Sequence, residues 1–170
     1  DGEVLIRIFA TTVTATECTF RMGKPYISRL FTGLRKPKIN TLGEELAGEI
    51  ETVGKNVTRF KKGDQVFAIA GMSLGAYAEY KSLPEDGAVA IKPANMTYEE
   101  AATVPVGGLD ALHFLRQGGL QNRSKVLING AGGSIGTFGV QLAKHFGAEV
   151  TAVDTAAKLD MLRSIGADHV

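Results

Sequence analysis

Lys125 to Val153 reads KVLINGAGGSIGTFGVQLAKHFGAEVTAV: an apolar strand, a glycine turn, an amphipathic helix and a second strand. Val126, Leu127 and Ile128 form a continuous apolar run, the pattern of a parallel strand buried on both faces. The turn Ala131-Gly132-Gly133-Ser134-Ile135-Gly136 has the spacing G-x-G-x-x-G with alanine in its first place. Glycine at 133 lets the main chain approach a pyrophosphate, and Gly136 lets the helix pack closely on the sheet. Ile135, Phe138, Gly139, Leu142, Ala143 and Phe146 recur at helical spacing as one apolar stripe. The helix N-terminus therefore points its free N–H groups and positive dipole end at the turn, which suits phosphate. Asp154 ends the second strand, where a carboxylate accepts hydrogen bonds from the adenosine ribose of a dinucleotide. A strand before the turn and a helix after it favour this reading over a tight turn that binds nothing.

Other classes fit poorly. The uncharged stretch between Lys125 and Lys144 has the length of a membrane span, but its glycines, with Asn129, Ser134, Thr137 and Gln141, argue against one. The balance of 19 basic and 18 acidic residues leaves no electrostatic footprint for nucleic acid or a membrane surface. Arg35-Lys36-Pro37-Lys38 and Lys61-Lys62 read as solvated loop charges. Cys18 is the single cysteine and cannot form an internal disulfide, which fits a reducing, cytoplasmic setting. The chain shows no leader segment and no initiator methionine, and its start at Asp1-Gly2, directly before a strand, suggests a fragment.

From the start, Val4–Val13, Leu46–Val53, Gln65–Ile69, Ala76–Lys81 and Ala88–Ile91 have the composition of strands. Residues 24–42, with Pro25, Gly33 and Pro37, read as a long surface loop and a candidate lid. This all-β stretch predicts a barrel-like domain over residues 1–96. Thr97-Tyr98-Glu99-Glu100 is a capping box that opens a linking helical segment over 97–123, interrupted at Pro105 and Gly107-Gly108 and stopped by Gly118-Gly119. The nucleotide-binding unit follows over 124–170, with Leu159, Leu162 and Ile165 on its second helix.

A β-rich domain, a linking helix and a dinucleotide unit in that order resemble the medium-chain dehydrogenase/reductase family. Gly43-Glu44-Glu45-Leu46-Ala47-Gly48 with Val53-Gly54, and Phe60-Lys61-Lys62-Gly63-Asp64-Gln65-Val66, look like its typical segments. Gly75-Ala76-Tyr77-Ala78-Glu79-Tyr80 and Ala101-Ala102-Thr103-Val104-Pro105 look like its quinone-oxidoreductase branch. The resemblance implies an α/β plus β chain: a GroES-like β-barrel-type catalytic domain, then the first half of a Rossmann doubly wound parallel sheet. Such a sheet has about six strands, so the chain is expected to continue beyond Val170, and the full-length form to be a homodimer.

Zinc-dependent members hold the metal at positions matching Thr14, Glu44 and Val106, and this set cannot supply three ligands. The four-cysteine structural lobe is missing as well, and His113, His145 and His169 do not rebuild a site. The resemblance therefore implies a zinc-free member, whose substrate oxygen is polarised by hydrogen bonds. Thr16 matches the hydroxyl that relays a proton to substrate oxygen, and Thr14 is a second polar group of the cleft; the alternative is that both satisfy main-chain groups at a strand end. Glu17 and Glu45 match acidic positions just outside the reactive centre, with structural roles. Asp110 stands where related sequences carry threonine, at the helix that approaches the nicotinamide ring, either favouring the oxidised ring or acting as a simple cap.

The implied cofactor is NAD(P)(H), held by Ala131, Gly132, Gly133, Ser134, Ile135 and Gly136, with Asp154, Lys158 and Asp110 around it. Asp154 repels a 2′-phosphate, whereas Lys158 matches a basic residue that pairs it in some members. The closer carboxylate favours NAD(H), and Lys158 reads more simply as an exposed helix lysine. The expected activity is hydride transfer between this cofactor and a quinone or α,β-unsaturated carbonyl, without nucleic acid or membrane partners. Alternatives are an alcohol dehydrogenase-like reductase of simple aldehydes or ketones, and a non-catalytic dinucleotide-binding interaction protein.

Overall fold

Val4 and Ile6 point inward from a strand whose intervening residues stay accessible, and this period of two makes Glu3–Thr11 strand β1. The computed structural model describes residues 1–24, 26–33, 36 and 40–170. These fall into two units, Asp1–Pro105 and Val106–Val170. The candidate lid over 24–42 lies partly outside the described residues. So do Arg35, Pro37 and Lys38 of the basic run. Its described part includes a 3-10 turn at Tyr26–Ser28 and one helical turn, α2, at Arg29–Thr32, so that part is not purely loop.

The first unit is a five-stranded antiparallel sheet in the order β4-β1-β2-β3-β5, with β2 at Glu45–Val53, β3 at Gln65–Ile69, β4 at Tyr80–Pro84 and β5 at Val89–Ile91. Val4, Ile6, Leu46, Ile50, Val66 and Leu83 form its core. Burial of each such aliphatic side chain contributes about 1.5–3 kcal/mol. Gly48 has no room for a side chain, because a Cβ there would run into the Arg7 carbonyl of β1.

Two strands differ from the sequence expectation. β1 ends at Thr11, because Thr11 and Thr12 turn their hydroxyls to the Glu45 carbonyl and carboxylate and Thr14 becomes a helix cap. The strand expected at Ala76–Lys81 begins only at Tyr80. The Ala76 and Tyr77 amides donate instead to the Gly43 and Leu42 carbonyls. That diversion ties the 75–77 segment to the 42–43 turn, and it shapes the candidate site.

Helix α1 covers Ala15–Met22 and ends at Gly23 with φ +61. The linking segment forms two helices, α3 at Tyr98–Ala102 and α4 at Pro105–Gln117. Pro105 opens α4, where its missing N–H costs nothing. Gly107-Gly108 does not interrupt α4: a Cβ at Gly107 would lie 2.6 Å from Ser134 Oγ and 2.8 Å from the Phe138 ring, so glycine there is a packing requirement. Gly119, at φ +67, ends the segment as expected.

In the second unit, β6 (Lys125–Asn129) pairs in parallel with β7 (Glu149–Val153), and a further parallel bridge joins Thr151 to His169. Helix α5 spans Ser134–His145 and α6 spans Leu159–Ser164. The expected stripe on α5 is rotated. Gly139, Val140 and Ala143 are buried, while Ile135 and Phe146 are about 40% exposed. Nor is β6 covered on both faces: Val126 and Ile128 join the core, but Leu127 is 69% exposed in a groove it shares with Ala111, Phe114 and Ile135. No helix among the described residues is long and apolar enough to cross a membrane.

Candidate functional site

The glycine turn follows β6 directly. The Gly130 and Ala131 amides both donate to the Val153 carbonyl at the end of β7, so the turn is anchored where the two parallel strands finish. Gly136 is held against the start of the turn: a Cβ there would lie 2.5 Å from the Gly130 oxygen and 2.6 Å from the Ala131 oxygen. Gly133 is the N-cap of α5 and supplies no side-chain cap. The helix therefore starts with first-turn N–H groups that no cap residue satisfies, which suits an anion such as a diphosphate. Ser134 and Ile135 occupy that first turn, and the Ser134 carbonyl accepts from the Thr137 hydroxyl.

Asp154 follows β7 and grips this turn. Its Oδ2 accepts the Gly132 amide proton at 2.8 Å, and its Oδ1 accepts the Thr155 amide at 2.7 Å. These two N–H bonds, Thr155 first, hold its carboxyl below the ordinary range, with help from the nearby Lys158. Lys158 is not a freely solvated helix lysine. It closes a 3-10 turn at Ala156–Lys158, and its ammonium donates to the Gly132 carbonyl at 3.0 Å and sits 3.6 Å from Asp154. A Cβ at Gly132 would collide with the Lys158 stem. Both peptide groups flanking the second place of the motif are thus clamped by side chains from beyond β7. Sequence spacing could suggest the neighbours, but not that both converge on Gly132.

Asp110 lies past the first turn of α4, which has no acidic residue, so it is not an N-terminal cap. His113 and His145 lie exposed on helices, and exposed His169 contacts Glu149 at 3.0 Å.

In the first unit, Thr14 is the N-cap of α1 in a capping box with Glu17. Its hydroxyl donates to Glu17 Oε2 at 3.0 Å and accepts the Glu17 amide at 3.4 Å. Thr16, in the first turn of the same helix, is exposed. Glu17 is only 2% exposed, and its carboxylate also accepts from the Tyr77 hydroxyl at 2.8 Å and the Glu44 amide at 3.0 Å. Tyr77 is held well above the usual phenol range, by burial first and by the adjacent Glu17 carboxylate second. Glu45 is equally buried and accepts from the Thr12 hydroxyl at 2.6 Å. Glu17 thus reaches further than the outlying structural position expected of it. The signal available in sequence was the T-x-x-E box; the Tyr77 and Glu44 partners come from distant segments.

Among the described residues no three His, Cys, Asp or Glu side chains converge to hold a metal. At the positions matching zinc ligands, the Thr14 hydroxyl donates to Glu17, and position 106 carries the apolar side chain of valine.

Comparison with known proteins gives consistent neighbours. Residues 1–93 match the alcohol dehydrogenase GroES-like domain. The chain is 34% identical over 177 residues to 2-methylene-furan-3-one reductase of Solanum lycopersicum, covering 99% of this chain and 44% of that protein. It is 36% identical over 177 residues to the chloroplastic quinone-oxidoreductase homolog of Spinacia oleracea, covering 99% and 51%. Its fold superposes on the CurK enoyl reductase with a TM-score of 0.87 at 30% identity, over 99% of this chain and 50% of that one. The chain spans about half the length of the curated relatives it matches.

Proposed function

Because the chain belongs to the medium-chain dehydrogenase/reductase family, in its quinone-oxidoreductase-like branch, we propose that it acts in hydride transfer between a nicotinamide cofactor and a quinone or α,β-unsaturated carbonyl. The observation that carries this reading is the uncapped start of α5 behind the clamped Gly132-Gly133 turn. There the first-turn main-chain N–H groups of Ser134, Ile135 and Gly136 face the glycine turn with no side-chain cap, an arrangement that suits a diphosphate. When bound, the reduced nicotinamide supplies the hydride. The protein's own share is to bind, to orient and to donate hydrogen bonds to the substrate oxygen.

Thr16 is the donor in this reading. It is exposed on the first turn of α1, whereas the Thr14 hydroxyl proton is already given to Glu17. Thr14 therefore positions the helix, and Thr16 polarises the carbonyl. Asp110, on α4, is in this reading the carboxylate that favours the cationic oxidised ring. The residue types at Thr14, Glu44 and Val106 support metal-free chemistry in this reading. It suits conjugated electrophiles, on which incoming hydride places charge on an oxygen that N–H and O–H groups can stabilise.

NAD(H) is the preferred cofactor. Asp154 carries its charge beside the turn, and Lys158 is already engaged on Gly132 and Asp154, which disfavours a 2′-phosphate there. Cys18, exposed and unpaired, supports a reducing cytoplasmic setting, and the full-length protein is a homodimer in this reading.

The test is cofactor oxidation by the full-length protein against quinones, enals, and saturated aldehydes and ketones, with and without a chelator. Quinone or enal turnover that the chelator leaves intact is expected. Turnover of saturated carbonyls alone would favour the alcohol dehydrogenase-like reading. Cofactor binding with no turnover across the panel would favour a non-catalytic binding protein.

A further inference from the structure

A glutamate at the third position of a capping box ordinarily reaches back over the helix surface and remains in water. Glu17 does not. It is 2% exposed, and four donors converge on it: the Thr14 amide at 2.8 Å, the Thr14 hydroxyl at 3.0 Å and the Tyr77 hydroxyl at 2.8 Å on Oε2, and the Glu44 amide at 3.0 Å on Oε1. Three of these share Oε2 and one takes Oε1, so most of the carboxylate's acceptor capacity, about four sites, is in use. The donors come from three separate segments: the start of α1, the 43–44 turn and the 75–77 segment. The last two are also tied to each other, since the Tyr77 amide donates to the Leu42 carbonyl and the Ala76 amide to the Gly43 carbonyl. A Cβ at Gly43 would lie 2.5 Å from the Tyr77 nitrogen, so these segments are in close contact.

We propose that Glu17 is the positioning residue of the candidate catalytic hydroxyls, drawing the protons of Thr14 and Tyr77 inward and leaving Thr16 as the hydroxyl donor of the α1 first turn. The inference rests on the hydride-transfer reading given above and assigns a role within it. With its proton held by Glu17, the Tyr77 hydroxyl has only acceptor capacity left for anything outside. Tyr77 is 36% exposed, so part of it is accessible to solvent. The same carboxylate fixes the N-terminus of α1, and with it the direction in which Thr16 presents its hydroxyl. Substitution of Glu17 would then release two hydroxyls that compete with Thr16 for the substrate oxygen, and would loosen the helix that carries Thr16.

The experiment compares Glu17→Gln and Glu17→Asp with the parent full-length protein by steady-state kinetics, cofactor binding and spectroscopic titration of tyrosine, with Tyr77→Phe identifying the Tyr77 signal. For Glu17→Gln, kcat with a quinone is expected to fall about 10- to 100-fold, the scale of a misplaced catalytic group. KM and cofactor affinity should change by less than about threefold, as expected when only the transition state is affected. The Tyr77 phenol should ionise at lower pH once its carboxylate neighbour is gone, and Glu17→Asp should recover part of the lost kcat. An unchanged kcat in a folded Glu17→Gln protein overturns the proposal, as does a loss that tracks the unfolded fraction alone. If Glu17→Gln does not fold, Tyr77→Phe, which removes one donor from Oε2, must lower kcat or the proposal fails. Absence of any turnover by the parent overturns the functional reading and the role built on it. The Tyr77 titration would still show whether the hydrogen bond exists, so the two failures are distinguishable.

Discussion

Asp154 accepts the main-chain proton of Gly132 at 2.8 Å, joining the end of one strand of the nucleotide unit to the glycine turn that follows the other. The carboxylate expected to face a ribose is therefore also part of the turn it serves. Lys158 takes the opposite side of the same residue through its carbonyl. A carboxylate on the N–H and an ammonium on the C=O fix the orientation of the peptide groups around Gly132.

Asp154→Ala should release the Gly132 amide and remove the charge that opposes a 2′-phosphate. NAD affinity should fall, and NADP affinity by less, so that the ratio of the two moves toward NADP. Calorimetric titration of both cofactors on parent and variant measures it. An unchanged ratio would mean that Asp154 only supports the turn.

The same contact has a defined pH window. The Asp154 carboxyl is held below its ordinary value of 3.8, chiefly by the Thr155 and Gly132 amides. A depressed acid stabilises the fold above its unfolded value, and that contribution disappears as pH falls through the folded one. The Gly132 amide resonance should therefore stay constant from about pH 8 to pH 5 and shift only below about pH 4.

Gly136→Val should damage the second unit more than a typical surface change. Its Cβ would meet the Gly130 and Ala131 oxygens at 2.5 and 2.6 Å, and both are main-chain atoms that cannot swing aside. Overpacking of this kind costs about 1–3 kcal/mol. Thermal unfolding should register the loss, together with weakened dinucleotide binding. Gly133→Ala meets only the Gly130 oxygen at 3.4 Å and should be milder in stability.

Thr14 and Thr16 should separate cleanly. Thr14→Val removes an N-cap hydroxyl and should cost about 1 kcal/mol of stability. Thr16→Val, at an exposed position, should change stability by less than about 0.5 kcal/mol. Turnover should respond in the opposite order, with Thr16→Val losing about 100-fold, the effect of removing one oxyanion donor. Chemical denaturation and initial rates on the same preparations decide it.

Tyr98→Phe probes the packing of α3 on the sheet of the first unit. The phenol donates to Glu49 at 2.6 Å, stacks on Phe9 at 4.9 Å and lies under the buried Lys92 ammonium at 5.3 Å. Burial and the Glu49 hydrogen bond push its pKa up to about 12. The raised value means that the folded state holds the proton more tightly, so the stabilisation is complete below pH 10 and is lost as pH climbs toward 12. Tyr98→Phe should lower stability by about 1–3 kcal/mol near neutrality and flatten that alkaline decline.

Much of the layout was legible because it rests on local rules. The Thr97 capping box, the glycine stop at Gly119 and the β6-turn-α5-β7 unit depend on residues close together in the chain. The errors have a common cause. Ala76–Glu79 alternates like a strand, yet its amides bond to a turn more than thirty residues earlier. Gly107-Gly108 looks like a helix break, but it lies inside α4, where Gly107 packs closely against Ser134 and Phe138. The exposed face of Leu127 could not be read from an apolar run, which records hydrophobicity and not which side is covered.

By itself the sequence located most of the strands and helices and the strand-turn-helix-strand unit around the glycine turn. These follow from side-chain chemistry at short range. Only the tertiary structure decided that Lys158 belongs to Gly132, and that Glu17 is a buried junction of three segments and not a surface cap. Partners so far apart in the chain meet only when folding brings their segments together, and no local spacing records which donors a buried carboxylate will find.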